Sequence, residues 1–193
     1  MSYQKKLEAK ERKLRVVYVA SYIPRQCGIA TFTKDLTNAV NELNPECLAE
    51  IIAVTDYYHQ DYDYPWEVKY RIKQDDFSTY TAAADYINQS SAEVVHIQHE
   101  FGLFGGEQGE NIVPFMACIQ KPIAVTLHTV LGRPSKKNLE VVEKMSELAE
   151  VFIVISQTAA GRLEKVYKIK NNCKIVVIPH GVFDFPKVDP NKY

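Results

Sequence analysis

Six short runs of mostly β-branched residues constrain this chain more than any other feature: residues 16–20, 51–54, 94–97, 123–127, 151–155 and 175–178. Each is rich in Val and Ile and gives way to loop residues. Continuous apolar runs of this kind read as strands buried on both faces, as in a parallel sheet. Amphipathic patterns of helical period lie between them, at 31–43, 79–88, 110–119, 137–149 and 158–167, and 68–72 is a further candidate strand. Strand, helix and strand in repetition make βαβ units with right-handed crossovers. The expected fold class is therefore α/β, a doubly wound, mainly parallel, Rossmann-like sheet of at least six strands.

The 193 residues, 46% of them hydrophobic, are ample for one large core, since a domain of this size buries roughly 70% of its unfolded surface. Lys+Arg 23 against Asp+Glu 24 leaves a net charge of −1. That balance lacks the basic excess of a dedicated nucleic-acid binder, so no nucleic-acid partner is expected. No stretch reaches the ~20 apolar residues that span a bilayer, and nothing at the start reads as a signal peptide. Cys27, Cys47, Cys118 and Cys173 are far apart and form no CxxC pair. They read as reduced thiols, which points to the cytoplasm. Through Arg15 the chain carries Lys5, Lys6, Lys10, Arg12, Lys13 and Arg15 against Glu8 and Glu11. This basic arm, 1–14, reads as solvated; the sharper expectation is peripheral contact with an anionic membrane, at about 1 kcal/mol per basic residue.

In open α/β sheets the ligand sits beyond the carboxyl ends of the strands, so chemistry is sought in the loops that follow each run. The first loop, 21–28, ends in Gly28 directly before a helical stretch. A glycine there lets the backbone approach a ligand, and a helix N-terminus offers free N–H groups to an anion, so a phosphate is expected. No GxGxxG is present, which sets aside NAD and a ribose-binding role for Asp56. The local sequence places no base beside Cys27, so this residue reads as a small loop filler rather than a nucleophile. His96, His99 and Glu100 spell HxxHE. Residues three apart on a strand point to opposite faces, so the two histidines are not expected to converge on a metal. His96 reads as a packed strand histidine; His99 and Glu100, at the strand end, are expected to face the cleft. Gly102, Gly105, Gly106 and Gly109 follow in a loop suited to moving or presenting N–H groups. Asp61-Tyr62-Asp63 is a DxD that reads as a chance pattern, and no metal site is expected. Tyr57, Tyr58, Tyr62, Tyr64 and Trp66 around it either pack on a sugar or close the sheet edge. His128 follows the run 123–127, where a histidine can donate to a phosphate or sugar hydroxyl or hold a developing charge.

In order and spacing, residues 24–33, 99–106, 126–129, 154–156 and 178–182 resemble motifs of the N-terminal half of a family 4 glycosyltransferase with the GT-B fold. The first two stretches are most similar to a mannosyltransferase-like subgroup. The resemblance spans about residues 15–182 and departs in two places: Cys27-Gly28 stands where many relatives carry paired glycines, and 178–182, which resembles the crossing into a C-terminal domain, is followed by few further residues. It implies retaining transfer of a sugar from a nucleotide-sugar donor to a hydroxyl of a glycan or lipid-linked acceptor, with no cofactor. It implies His128 as the catalytic residue near the reacting carbon, Gly28 and Arg25 on the donor phosphates, and His99, Glu100, Gly105 and Gly106 on the acceptor side. It divides the chain into the arm 1–14, an acceptor-side domain 15–182, and the start of a crossing at 183–193. The second domain, with most nucleotide contacts, would lie beyond that crossing, so this chain alone is expected to be inactive. Two other readings stay open: a non-enzymatic glycan- or partner-binding module, and half of a sugar-nucleotide epimerase.

Overall fold

The computed structural model describes residues 13–56, 62–169 and 173–181. The basic arm before Lys13, Tyr57, Tyr58 and Asp61 of the polar loop, and the expected crossing at 183–193 lie outside the described residues.

Among the described residues seven strands form, β1 (Val16–Ala20), β2 (Glu50–Thr55), β3 (Val68–Lys73), β4 (Val94–His99), β5 (Ile123–Leu127), β6 (Val151–Val154) and β7 (Lys174–Val177). Five helices connect them, α1 (Gly28–Leu43), α2 (Phe77–Gln89), α3 (Ile112–Cys118), α4 (Lys136–Leu148) and α5 (Gln157–Lys165). Helix starts are set by local side chains that accept otherwise unpaired N–H groups. Asp76 caps α2, Ser156 caps α5, and Ser135 with Asn138 forms a capping box on α4. Among the described residues, no helix is long and apolar enough to cross a membrane.

The strands make one sheet in the order β3-β2-β1-β4-β5-β6-β7, and every pairing is parallel. The expected doubly wound sheet is therefore present. The chain first steps outward from β1 to β3 and then crosses back to β4 and on to β7. With right-handed crossovers, that reversal puts helices on opposite faces. Helices α2 to α5 bury the larger core, with Val95, Ile97, Val125, Leu127, Phe152 and Val154 pointing into it. On the other face α1 covers a smaller cluster of Tyr18, Tyr22, Ala49, Ile51 and Ala53.

Two boundaries differ from the sequence reading in ways that matter for the site. Strand β4 runs two residues further, through Gln98 and His99, both fully buried. Polar residues at the end of an apolar run look like loop, yet the ladder to Thr126 and Leu127 continues through them. Helix α1 starts at Gly28 rather than Thr31, because Cys27 serves as its cap and Sγ accepts from Ala30 N at 3.4 Å.

Candidate functional site

Strands β1 and β4 are neighbours whose following loops lead to helices on opposite faces. This is the topological switch point at which open α/β sheets bind ligands. A cleft of about 600 Å³ opens there. Arg25, Gly28 and Phe32 form one wall, Glu100 and Gly102 the other, with His128 and His180 between them.

The first wall offers positive potential. Gly28 is the first residue of α1, where unpaired N–H groups and the helix dipole favour an anion. Its φ is not positive, and a Cβ built on it meets nothing within 4 Å. The turn and the packing thus do not require glycine at this position; the open space beside it faces the cleft. Arg25 is held at the end of β2, with Nη1 donating to Val54 O at 3.2 Å and Nε 3.5 Å from Asp56 Oδ2.

The opposite wall carries a carboxylate. Glu100 Oε2 accepts from Thr129 Oγ1 at 2.5 Å, and Oε1 accepts from Phe101 N at 3.0 Å. These bonds fix the carboxylate while leaving lone pairs for a hydroxyl. The cleft thus sets a helix N-terminus and the Asp56-paired Arg25 on one side against the Glu100 carboxylate on the other.

His128 lies between the walls. Its Nε2 is 2.8 Å from Gln98 Oε1, and its ring meets Phe32 edge-on at 4.9 Å. Burial, then the charge of neighbouring His180, pulls its pKa down to about 4. The ring is neutral at pH 7, with Nε2 engaged by Gln98.

Three residues expected to shape the acceptor side stand elsewhere. His99 is fully buried on the face opposite His96, stacked on Phe104 at 6.0 Å and edge-on to Phe101 at 5.2 Å. Neither ring nitrogen has a partner, and burial pulls its pKa to about 3. It supports the cleft from beneath and does not line it, because the extended β4 turns its side chain into the core. Gly105 gives its N–H to Tyr80 OH at 3.0 Å, and a Cβ there would collide with the Gln74 carbonyl. Gly106 adopts φ 81° at the turn into the next helical segment. Both glycines serve the loop's path; Gly102 is the one on the cleft wall.

The sequence reading gave no individual site role to Phe32, Thr129, His180 or Gln98, and it named Gly102 only as one of the loop glycines. For Gln98 a signal existed: it lies two residues after His96 and so shares its face at the carboxyl end of the strand. A second, apolar cavity of about 450 Å³ adjoins the cleft on the α1 face, with Phe32, Leu36, Ile153 and Ile178 in its walls.

A family model described as Glycosyltransferase Family 4 matches residues 28–183. The chain belongs to glycosyltransferase family 4. Solved structures show the same GT-B type of fold. An alpha-glucosyltransferase in complex with UDP and a 13-mer DNA containing a HMU base superposes with TM-score 0.54 at 13% identity, over 84% of this chain and 42% of that one. An alpha-glucosyltransferase in complex with UDP-glucose and DNA containing an abasic site gives TM-score 0.52 at 13% identity, over 84% and 42%. A search of the curated proteins found no match. This family 4 chain spans about two fifths of the length of those solved enzymes. One expectation is overturned by them: net charge was taken to exclude nucleic acid, yet enzymes of this fold are solved with DNA bound. A near-neutral total does not report how charge is distributed over a surface, so the exclusion does not hold.

Proposed function

We propose that residues 15–182 form the acceptor-side domain of a retaining glycosyltransferase. It moves a hexose, mannose in the reading favoured by residues 24–33 and 99–106, from a nucleotide-sugar donor to a hydroxyl of a glycan or lipid-linked acceptor. The observation that carries this reading is the cleft at the β1–β4 switch point, where Gly28 has no structural reason to be glycine and faces His128 and Glu100. Donor phosphates lie against the N-terminus of α1, with Arg25 supplying positive charge beside them. His128 sits at the sugar, where a neutral ring nitrogen accepts a hydrogen bond from a hydroxyl without adding charge. Glu100, fixed by Thr129, stands on the acceptor side, and His99 backs it from the core. The nucleotide is bound between this domain and a second one; closure over the cleft excludes water and strengthens each of these contacts.

The test is chemical-shift mapping of the ¹⁵N-labelled chain with GDP-mannose, UDP-glucose and their free sugars at tens of millimolar. Shifts confined to Gly28, Arg25, Gly102 and His128 support the reading. Shifts elsewhere, or none with any sugar nucleotide, refute it.

A further inference from the structure

We propose that Gln98 is a positioning residue that locks His96 and His128 into opposite tautomers, so that His128 presents an unprotonated Nδ1 to the cleft. Its meaning for catalysis rests on the transfer reading above; the tautomers themselves do not.

Gln98 is fully buried, next to last in β4, with its amide between two imidazole rings. An amide has one end that only accepts and one that only donates. Oε1 lies 2.8 Å from His128 Nε2, so that nitrogen must carry the proton. Gln98 Nε2 lies 3.3 Å from His96 Nε2, so that nitrogen must hold a lone pair, and the His96 proton sits on Nδ1. The Thr126 hydroxyl, 2.8 Å from the same His96 nitrogen, donates to it as well. Turning the amide end for end exchanges both tautomers together; with Gln98 in place the two rings are never alike. Both rings are neutral, each drawn down to about 4 chiefly by burial.

Packing keeps the arrangement in register. The edge of Phe32 against His128, at an interplanar angle of 85°, opposes turnover of that ring. Tyr18 lies against His96 with ring centres 5.1 Å apart. His128 Nδ1 has no hydrogen-bond partner among the described residues and is not a buried atom left unpaired, so it opens to the cleft. It accepts from a ligand hydroxyl and offers nothing to a phosphate oxygen.

The experiment is a long-range ¹H–¹⁵N correlation spectrum of the imidazole rings at pH 7, without substrate, in which the chain's five histidines are few enough to assign. His128 should read as the Nε2–H tautomer and His96 as Nδ1–H. In Gln98→Glu a carboxylate accepts at both ends, so His128 should stay Nε2–H while His96 changes to Nε2–H. Gln98→Leu should leave both rings as mixtures. Like tautomers in the unaltered chain, or a His96 that does not respond to Gln98→Glu, would overturn the proposal. The unaltered spectrum decides the matter even where a variant folds poorly, and it does so whether or not the chain takes part in sugar transfer.

Discussion

The Thr129 hydroxyl donates to Glu100 Oε2 at 2.5 Å, tying the chain just past β5 to the chain just past β4. Hydrogen bonds to ionised groups are worth about 1.5–3 kcal/mol, and partial exposure puts this one at the low end. Thr129→Val should lower stability by about 1.5 kcal/mol, read as a lower urea midpoint with unchanged slope. Thr129→Ser keeps the donor and should lose clearly less. Equal losses in the two variants would assign the effect to the methyl group.

Two glycines of one loop should answer alanine differently. At Gly105 a Cβ meets the Gln74 carbonyl, a backbone atom that cannot swing aside, while at Gly102 it meets nothing within 4 Å. Gly105→Ala should destabilise by about 1–3 kcal/mol, as overpacking does. Gly102→Ala should stay within about 0.5 kcal/mol of the parent while weakening ligand binding. Thermal unfolding of the pair decides it.

Acid should destabilise the fold before carboxylates titrate. His96, His99 and His128 are drawn by burial to about 4, 3 and 4, below their ordinary 6.5. The unfolded chain therefore takes up protons near pH 6.5 that the folded chain refuses. Their contribution is fully present above pH 6.5 and is lost as pH falls toward 4. The enclosed ring of His99 accounts for up to about 1.4 kcal/mol per pH unit, and His96 and His128, more open to water, for less. Urea unfolding at pH 7, 6, 5 and 4.5 should show this slope; a flat profile would contradict the neutral, enclosed rings.

Cys27 is a helix cap, and its chemistry is replaceable in that role. Its Sγ accepts from Ala30 N and lies 3.0 Å from Ser21 Oγ. Cys27→Ser should hold or raise stability, and Cys27→Ala should cost about 0.5–1 kcal/mol. In the two-domain enzyme proposed above, Cys27→Ser should retain transfer; its loss would reveal a nucleophilic thiol.

The cleft by itself should hold a sugar nucleotide weakly. A few charge-assisted bonds in water-filled space sum to little, and affinity on the order of millimolar, about −4 kcal/mol, is expected. His128→Ala should reduce transfer sharply in the two-domain enzyme proposed above, and by leaving the buried Gln98 Oε1 without a partner it should also cost about 1–3 kcal/mol of stability. Calorimetry showing a micromolar complex with this chain alone would mean that the described cleft is the whole site.

The sheet was legible because its inner strands are buried on both faces and so are written mostly in Val and Ile, whereas the edge strand β3 alternates with Lys and Arg and read only as a candidate. The end of β4 was not, since Gln98 and His99 carry polar side chains whose burial depends on partners distant in sequence. His128 could be placed because it directly follows β5, whose end is plain. Gly105 and Gly106 could not be told from Gly102: composition shows a pliant loop, while only the approach of the Gln74 carbonyl separates a glycine required by packing from one that leaves room. The start of α1 was misplaced because cysteine is a rare cap, and a sulfur acceptor leaves no pattern to read.

The order of the strands also bears on how the cleft comes into being. Strand β1 lies between β2, which follows it after one helix, and β4, whose pairing partner Val94 meets Val16 only after all of β2, β3 and α2 have intervened. Closing so long a loop is entropically costly and slows the search for native contacts. The Gly28 wall and the Glu100 wall belong to segments on either side of that seam. Refolding monitored at β1–β2 should therefore run ahead of any signal from the cleft, and a ligand that spans both walls would act as a late clamp on the assembly of the sheet.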